Sequence, residues 1–464
     1  MASPDVARDP VAPTSRAAAF REALAVYLQP RVLIVLFLGF SSGLPLALSG
    51  STLIYWAAEA GVNLRTVGLF ALVGAPYTFK FFWAPLVDAL DVPVLARWLG
   101  RRRGWLMFSQ LILIATVLFV GSCDPVAQTG LIAAGALALA AASATQDIVV
   151  DAFRIESLPE NEQAAGMAAY VAAYRVGMLA SSAGALYAVS GFESFGFSKA
   201  QGWTGAYAAM AVLVLIGMVA TLLATEPQKS AVAEREHRAE KPLQRILTTT
   251  VGAFRDFLLR DRVGVILASL LFVVLFKLTD ALAGVMTGPF TIDLGFSRTE
   301  YTTIVKGVGF AATLIGGFAG GYVARQYSLA TSLWLGGLLQ ALANLAFSWQ
   351  AVIGRDLAWL TFAITLENFT SAVGTVMFVA YLSALCRNSI QTATQYALLT
   401  ALAAVGRIFI PAVAGDIALA TGWVLFFVVC ALAAIPGLLV LALLQYLGHF
   451  SRLAEAERGA PNQL

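Results

Sequence analysis

The sequence predicts an all-α integral membrane protein: about twelve transmembrane helices in two pseudo-symmetric six-helix bundles, with both termini in the cytoplasm. Three observations lead there. The 464-residue chain is 59% hydrophobic and only 12% charged, where a soluble domain carries about 25% charged residues, and its mean hydropathy is +0.78. Its apolar residues gather in repeated stretches of about 20, the length at which a helix crosses a bilayer. The two halves also resemble each other at an offset of about 232 residues: AAYRVGMLASSAGAL in the first matches AAVGRIFIPAVAGDI in the second, which puts Arg175 and Arg407 in register.

Taken in chain order, residues 1–30 are polar and proline-containing, lack the apolar core and cleavage site of a signal peptide, and read as a cytoplasmic tail. The amino-terminal bundle, 31–224, holds spans one to six at 32–57, 66–89, 104–122, 127–152, 164–190 and 203–224. The polar segment 225–261, which begins TEPQKSAVAEREHRAEKPLQ, reads as a solvated linker. The carboxy-terminal bundle, 262–447, holds spans seven to twelve at 262–288, 300–323, 329–349, 357–384, 392–418 and 422–447, and 448–464 forms a second tail. Basic residues set the orientation. Arg and Lys concentrate in the tails, the linker and the GRRRG loop at 100–104, whereas the opposite side holds Arg65, Lys199, Arg298 and Arg355. The side of the termini is therefore cytoplasmic.

Several chemistries are excluded. No Lys follows a Gly, so there is no phosphate-cradling loop and no sign of ATP-driven transport. Cys123, Cys386 and Cys430 sit at unrelated spacings that make neither a disulfide framework nor a metal site. No cofactor and no nucleic-acid partner is called for, and a monomer in the lipid bilayer is expected. His237 and His449 fall outside the spans, so proton coupling inside the membrane would rest on carboxylates.

Charges inside spans are costly, roughly 3 kcal/mol each at a helix centre, and should face a wet cavity or one another. Lys80, Arg175, Lys277, Asp280, Glu367 and Arg407 fall well inside their spans. Lys277 and Asp280 are three apart on one helix face and can pair. Glu367 has no basic residue within a turn, which makes it the first proton-site candidate, followed by Asp147 and Asp280. Guanidinium groups bind carboxylates in a bidentate manner, so Arg175 and Arg407, with Lys80, Lys277, Gln146 and Asn368, are candidate contacts for an anionic substrate. Trp83 in FKFFW is a candidate wall for a sugar ring. Lys306, near the outer end of span eight, is placed to snorkel toward the interface. In SATQDIVVDAFRIE, Gln146 and Asp147 form an inner-cavity pair, and Asp151 with Arg154, one turn nearer the cytoplasm, a gate pair. Asp88 with Arg101, Arg102 and Arg103 reads as a cytoplasmic latch for the outward-open state. Gly43 and Pro45 in SSGLPL mark a kink in span one.

Two six-helix halves around a central cavity resemble the major facilitator transporters, in which one half rocks against the other. GFSSGLPLALSG (39–50), FKFFWAPLVD (79–88), GRRRGWL (100–106), ATQDIVVDAFR (144–154), YRVGMLAS (174–181), KLTDALAG (277–284), LENFTSAVGTVMFVAYLSALC (366–386) and TATQYALLTALAAVGR (392–407) resemble the AmpG family more closely. That resemblance implies a permease of the bacterial inner membrane. It would use the proton gradient to import GlcNAc-1,6-anhydroMurNAc peptides for peptidoglycan recycling and β-lactamase induction. Such an anionic glycopeptide suits a cavity with excess positive charge. Two other cargoes remain open on the residues alone: another anion, of acyl-CoA or phosphosugar type, and a pigment, as in the related bacteriochlorophyll-delivery branch. Some members carry two further carboxy-terminal helices; here SRLAEAERGAPNQL follows span twelve.

Overall fold

Inside a bilayer no water is present to bond free backbone amides, so a chain this apolar must satisfy them within helices. The computed structural model describes residues 25–227, 262–386 and 392–458, and every regular element among them is helical. Most of the expected linker and much of both tails lie outside the described residues. Nine helices among the described residues are long and apolar enough to cross a membrane: Pro30–Glu59, Arg101–Ser122, Thr129–Ser157, Lys199–Leu223, Val263–Asp293, Arg298–Ala324, Leu329–Ile353, Leu357–Leu385 and Leu398–Tyr446. The last of these covers expected spans eleven and twelve and passes through Gly422 at φ 72°. Span two is a run of short pieces from Leu64–Leu69 to Ala84–Ala89, tightened to a 3₁₀ turn at Lys80–Phe82. Span five consists of Glu160–Leu179 and Ala185–Ser194 on either side of a wide π turn, Ala180–Gly184.

The apolar core is distributed unevenly along these helices. Toward the end where span one finishes at Glu59, the outer end in the expected topology, one cluster runs continuously through both halves and includes Trp56, Trp203 and Tyr207 of the first and Phe290, Phe347 and Phe427 of the second. Toward the opposite end the cores separate. One cluster around Phe272, Phe276 and Tyr381 belongs to the carboxy-terminal half, and another around Leu106, Val149 and Phe153 to the amino-terminal half. The halves thus share a core at one end and not at the other. Leu111, Leu118, Val212, Leu342, Phe362 and Leu425 are exposed on the helix surfaces, as suits contact with equally apolar lipid tails.

Spans one and five pack most closely. A Cβ on Gly43 would collide with the backbone of Tyr174, and one on Gly177 with the backbone of Phe40. The glycines are what let the two backbones touch. Gly43 is therefore a packing residue, not the expected hinge. Pro45 lies in regular helix, and the break in span one comes five residues later at Gly50 (φ −105°, ψ −108°), inside the π turn Leu48–Thr52. Gly43→Leu is expected to force spans one and five apart at a cost of about 1–3 kcal/mol, the usual scale of overpacking. A lowered thermal midpoint in detergent would register it.

Candidate functional site

Between the halves lies a cavity of about 540 Å³. Arg175 lines it from span five, Lys306 from span eight, Glu367 and Asn368 from span ten, and Arg407 from span eleven. The two arginines related by the internal repeat therefore face one space from opposite halves. Asn368 Nδ2 donates to Glu367 Oε2 at 2.7 Å, and Thr313 Oγ1 donates to Asn368 Oδ1 at 3.2 Å. Among the described residues the cavity wall thus presents three cations against one carboxylate, an arrangement that attracts an anion.

Beside the cavity, each half holds a buried polar cluster. In the amino-terminal half, span one meets span four: Ser42 Oγ donates to Asp147, Gln146 Nε2 donates to Ser41 Oγ at 3.3 Å, and Tyr170 Oη donates to Ser42 Oγ at 3.4 Å. Gln146 and Asp147 are both buried. Lys80 is close enough to act electrostatically on Asp147 and Asp151. In the carboxy-terminal half, Asp280 pairs with Lys277 and also accepts from Gln340 Nε2 at 2.9 Å and Ser371 Oγ at 2.6 Å. Lys277 Nζ further donates to the Ser371 carbonyl at 3.2 Å. Asp280 Oδ2 is therefore held by three donors of its own half, and its field, with that of Lys277, reaches Glu367.

The outer end is closed by charge as well as by apolar packing. Arg298, at the start of span eight, sends Nε and Nη2 to the two oxygens of Glu59 at 3.0 and 2.8 Å. Its Nη1 donates to Glu193 Oε2 at 2.7 Å and to Ser190 Oγ at 3.3 Å. Trp203 Nε1 donates to Glu59 Oε2 at 2.8 Å, and the guanidinium lies 5.7 Å from the Trp203 ring centroid. Glu59 ends span one, Glu193 ends span five, and Arg298 belongs to the other half, so one guanidinium clamps two helices across the molecular divide. The side chains of Arg298 and Glu59 are only 6% and 11% exposed, which takes this pair out of the weak class of surface bridges. Arg65–Asp416 at 3.0 Å, 69% and 45% exposed, belongs to that weak class. Tyr55 and Tyr301 meet beneath the clamp with ring centroids 4.4 Å apart, and Tyr187 Oη shares a 2.7 Å hydrogen bond with Thr303 Oγ1.

The remaining expected residues fall elsewhere. Trp83 lines a separate apolar crevice of about 250 Å³ with Trp105 and Phe108, its indole donating to Thr145 Oγ1 at 3.1 Å, so it is turned away from the central cavity. Arg102 forms a fork with Glu156 at 2.9 and 2.5 Å, and the backbone amides of Arg102 and Arg103 donate to Glu226 at 2.8 and 3.1 Å. The Arg103 guanidinium reaches the carbonyls of Thr221 and Leu222. Arg101 lies 4.0 Å from Asp91, and Arg154 lies 3.9 Å from Asp151. These contacts bind the ends of spans three, four and six opposite the clamp to one another within a single half. The Asp88 side chain lies outside the described residues. Sequence reasoning misses Glu59, Glu193 and Trp203 and counts Arg298 only as a charge on the outer side; an acid at the end of an apolar span is the available signal.

Residues 35–394 match the Major Facilitator Superfamily. The chain is 38% identical over 432 residues, 93% of its length and 83% of the relative's, to the anhydromuropeptide permease of Escherichia coli strain K12. It is 32% identical over 411 residues, 89% of its length and 95% of the relative's, to the putative transporter AmpG 4 of Rickettsia felis. Among solved structures it is similar to a bacterial homologue of the human lysosomal transporter Spinster, with a TM-score of 0.63 and 15% identity over 94% of this chain and 99% of that one.

Proposed function

Since the chain belongs to the Major Facilitator Superfamily, and is thus a multi-pass membrane transporter and not an enzyme, we propose that it imports anhydro-muropeptides across a bacterial inner membrane. The observation that carries this reading is the 38% identity to the anhydromuropeptide permease, sustained over 93% of the chain. The charge of the cavity supports it: a muropeptide stem carries carboxylates, and Arg175, Lys306 and Arg407 face the space that would hold it. Twelve crossings with both termini cytoplasmic, as the basic residues imply, put the closed end of the molecule in the periplasm. The arrangement is then an inward-facing one, and the protein works as a monomer.

Protons drive the cycle in this reading. A ligand or proton shifts a two-state equilibrium only through its different affinity for the two states. Glu367 is the proton carrier of first choice because it faces the cavity with an amide, and no ammonium or guanidinium, as its hydrogen-bond partner. Asp147 and Asp280 follow, each already held by hydrogen bonds within its own half. Substrate entering from the periplasm together with a proton on Glu367 would favour rocking inward, and loss of both to the cytoplasm would reset the protein.

The test is uptake of labelled anhydro-muropeptide into vesicles containing the purified protein, with and without an imposed pH gradient. Uptake that follows the gradient and is competed by unlabelled muropeptide is the expected result. Muropeptide-insensitive flux would overturn the reading.

A further inference from the structure

We infer that Lys306 is an anion-binding residue in the roof of the cavity, where it takes a carboxylate of the transported substrate; this rests on the proposed muropeptide reading and deepens it. Sequence position suggests a lysine reaching outward to the interface, but the side chain turns into the cavity instead. Three features carry the assignment.

The first is an incomplete set of partners. Lys306 Nζ donates to Ser51 Oγ at 3.2 Å and stands 5.6 Å from the Tyr301 ring centroid. No carboxylate lies within ion-pair distance of it among the described residues. An ammonium has three donors and no acceptor, and a half-buried one beside neutral groups has lost water without gaining a counter-charge. Lys277, by contrast, is fully matched by Asp280. The one acid of the cavity wall, Glu367, is engaged by Asn368.

The second is the backbone around it. Lys306 sits in the π turn Thr302–Val308, which abuts the π turn Ala180–Gly184, which in turn abuts Leu48–Thr52. Isolated π turns occur frequently at functional sites, since each widens the helix and redirects side chains. Here three of them converge from both halves, and each contributes to the cavity lining: Lys306, Ser182 and Ser51 respectively.

The third is connection to the outer clamp. Lys306 bonds across the divide to Ser51, and it follows Arg298 by eight residues in the same helix, about 12 Å along the axis. An anion bound at Lys306 would take the donors that Ser51 leaves open and pull on the helix that carries both Lys306 and Arg298. It would thus act on the same element that holds Glu59 and Glu193.

The experiment measures equilibrium binding to the full-length protein in detergent, for wild type, Lys306→Gln and Lys306→Arg. The probes are an anhydro-muropeptide with a tripeptide stem, the same compound with its carboxyls amidated, and citrate. Wild type should prefer the free acid. Lys306→Gln should weaken that ligand about tenfold, equivalent to about 1.4 kcal/mol, while leaving the amidated compound unchanged, and Lys306→Arg should recover most of the loss. Equal weakening of free and amidated forms, or no weakening, would overturn the inference and leave the muropeptide reading intact. If wild type binds citrate in a Lys306-dependent way and not muropeptide, the anion site stands and the substrate reading fails. Binding of none of the three probes would overturn both.

Discussion

Glu367→Gln should abolish concentrative uptake while sparing exchange. A gradient of one pH unit carries about 1.4 kcal/mol per proton, so a one-proton symporter would accumulate its substrate about tenfold inside vesicles. The glutamine variant is expected to fall to an accumulation ratio of one, because the amide keeps the shape of the side chain and cannot take up or release a proton. Its hydrogen bond with Asn368, 2.7 Å in the native protein, can persist, so binding and gradient-free counterflow should continue. Full gradient-driven accumulation by the variant would remove Glu367 from the proton pathway and pass the role to Asp147 or Asp280.

Arg298→Gln is the second large effect, and it acts on conformation. The native guanidinium satisfies two carboxylates from the opposite half, Glu59 and Glu193. Removing one partner of a buried ion pair costs about 3–5 kcal/mol because the other charge stays buried. Here that cost falls only on the outer-closed state, since separation of the halves would hydrate both acids. Each 1.4 kcal/mol is a factor of ten, so the closed population should drop by about two to three and a half orders of magnitude relative to the open one. Spin labels on the exposed Phe195→Cys and Thr299→Cys would report it as a longer interhalf distance, with slowed uptake. An unchanged distance distribution would show that apolar packing alone closes the outer end.

The same clamp has a pH dependence of definite sign. The Arg298 hydrogen bond holds the Glu193 carboxyl below its ordinary value of 4.5. A depressed value means that the contribution to closure is complete above the ordinary one and fades as pH falls through the depressed one. In the label pair above, acidification at the clamp below about pH 4.5 is expected to loosen the closed state, and Glu193→Gln should flatten that response.

The sequence is most legible where its signal is local or repeated. Apolar stretches announce the helices, and the internal repeat alone pairs Arg175 with Arg407, which do face one cavity. Depth arithmetic fails where it assumes straight α-helices. Span two is a chain of short pieces, and wide turns re-aim Lys306, which straight-helix counting sends toward the interface. Trp83 is misread for another reason: an aromatic ring beside Lys80 suggests a sugar wall, whereas the indole bonds Thr145 and lines a separate crevice. The outer clamp is invisible in the sequence for a different reason. Glu59, Glu193 and Arg298 are far apart in the chain, and each alone is an ordinary charge at the end of an apolar stretch. Only the closing of one half on the other makes them a site. Proline draws attention to Pro45, while the actual break at Gly50 lies in a stretch, LSGST, with no proline at all.

The glycine contact between spans one and five has a mechanical meaning. With Gly43 against Tyr174 and Gly177 against Phe40, these two helices cannot slide past each other without backbone collision. Glu59 and Glu193 ride at their ends. The two acids are then the jaws of a clasp carried on one helix pair locked at Gly43 and Gly177, and the π turns Leu48–Thr52 and Ala180–Gly184 are the joints between lock and jaws. Loosening the lock at Gly43 would free both joints at once, so damage about 24 Å from the clasp would show as leakiness at the clamped end.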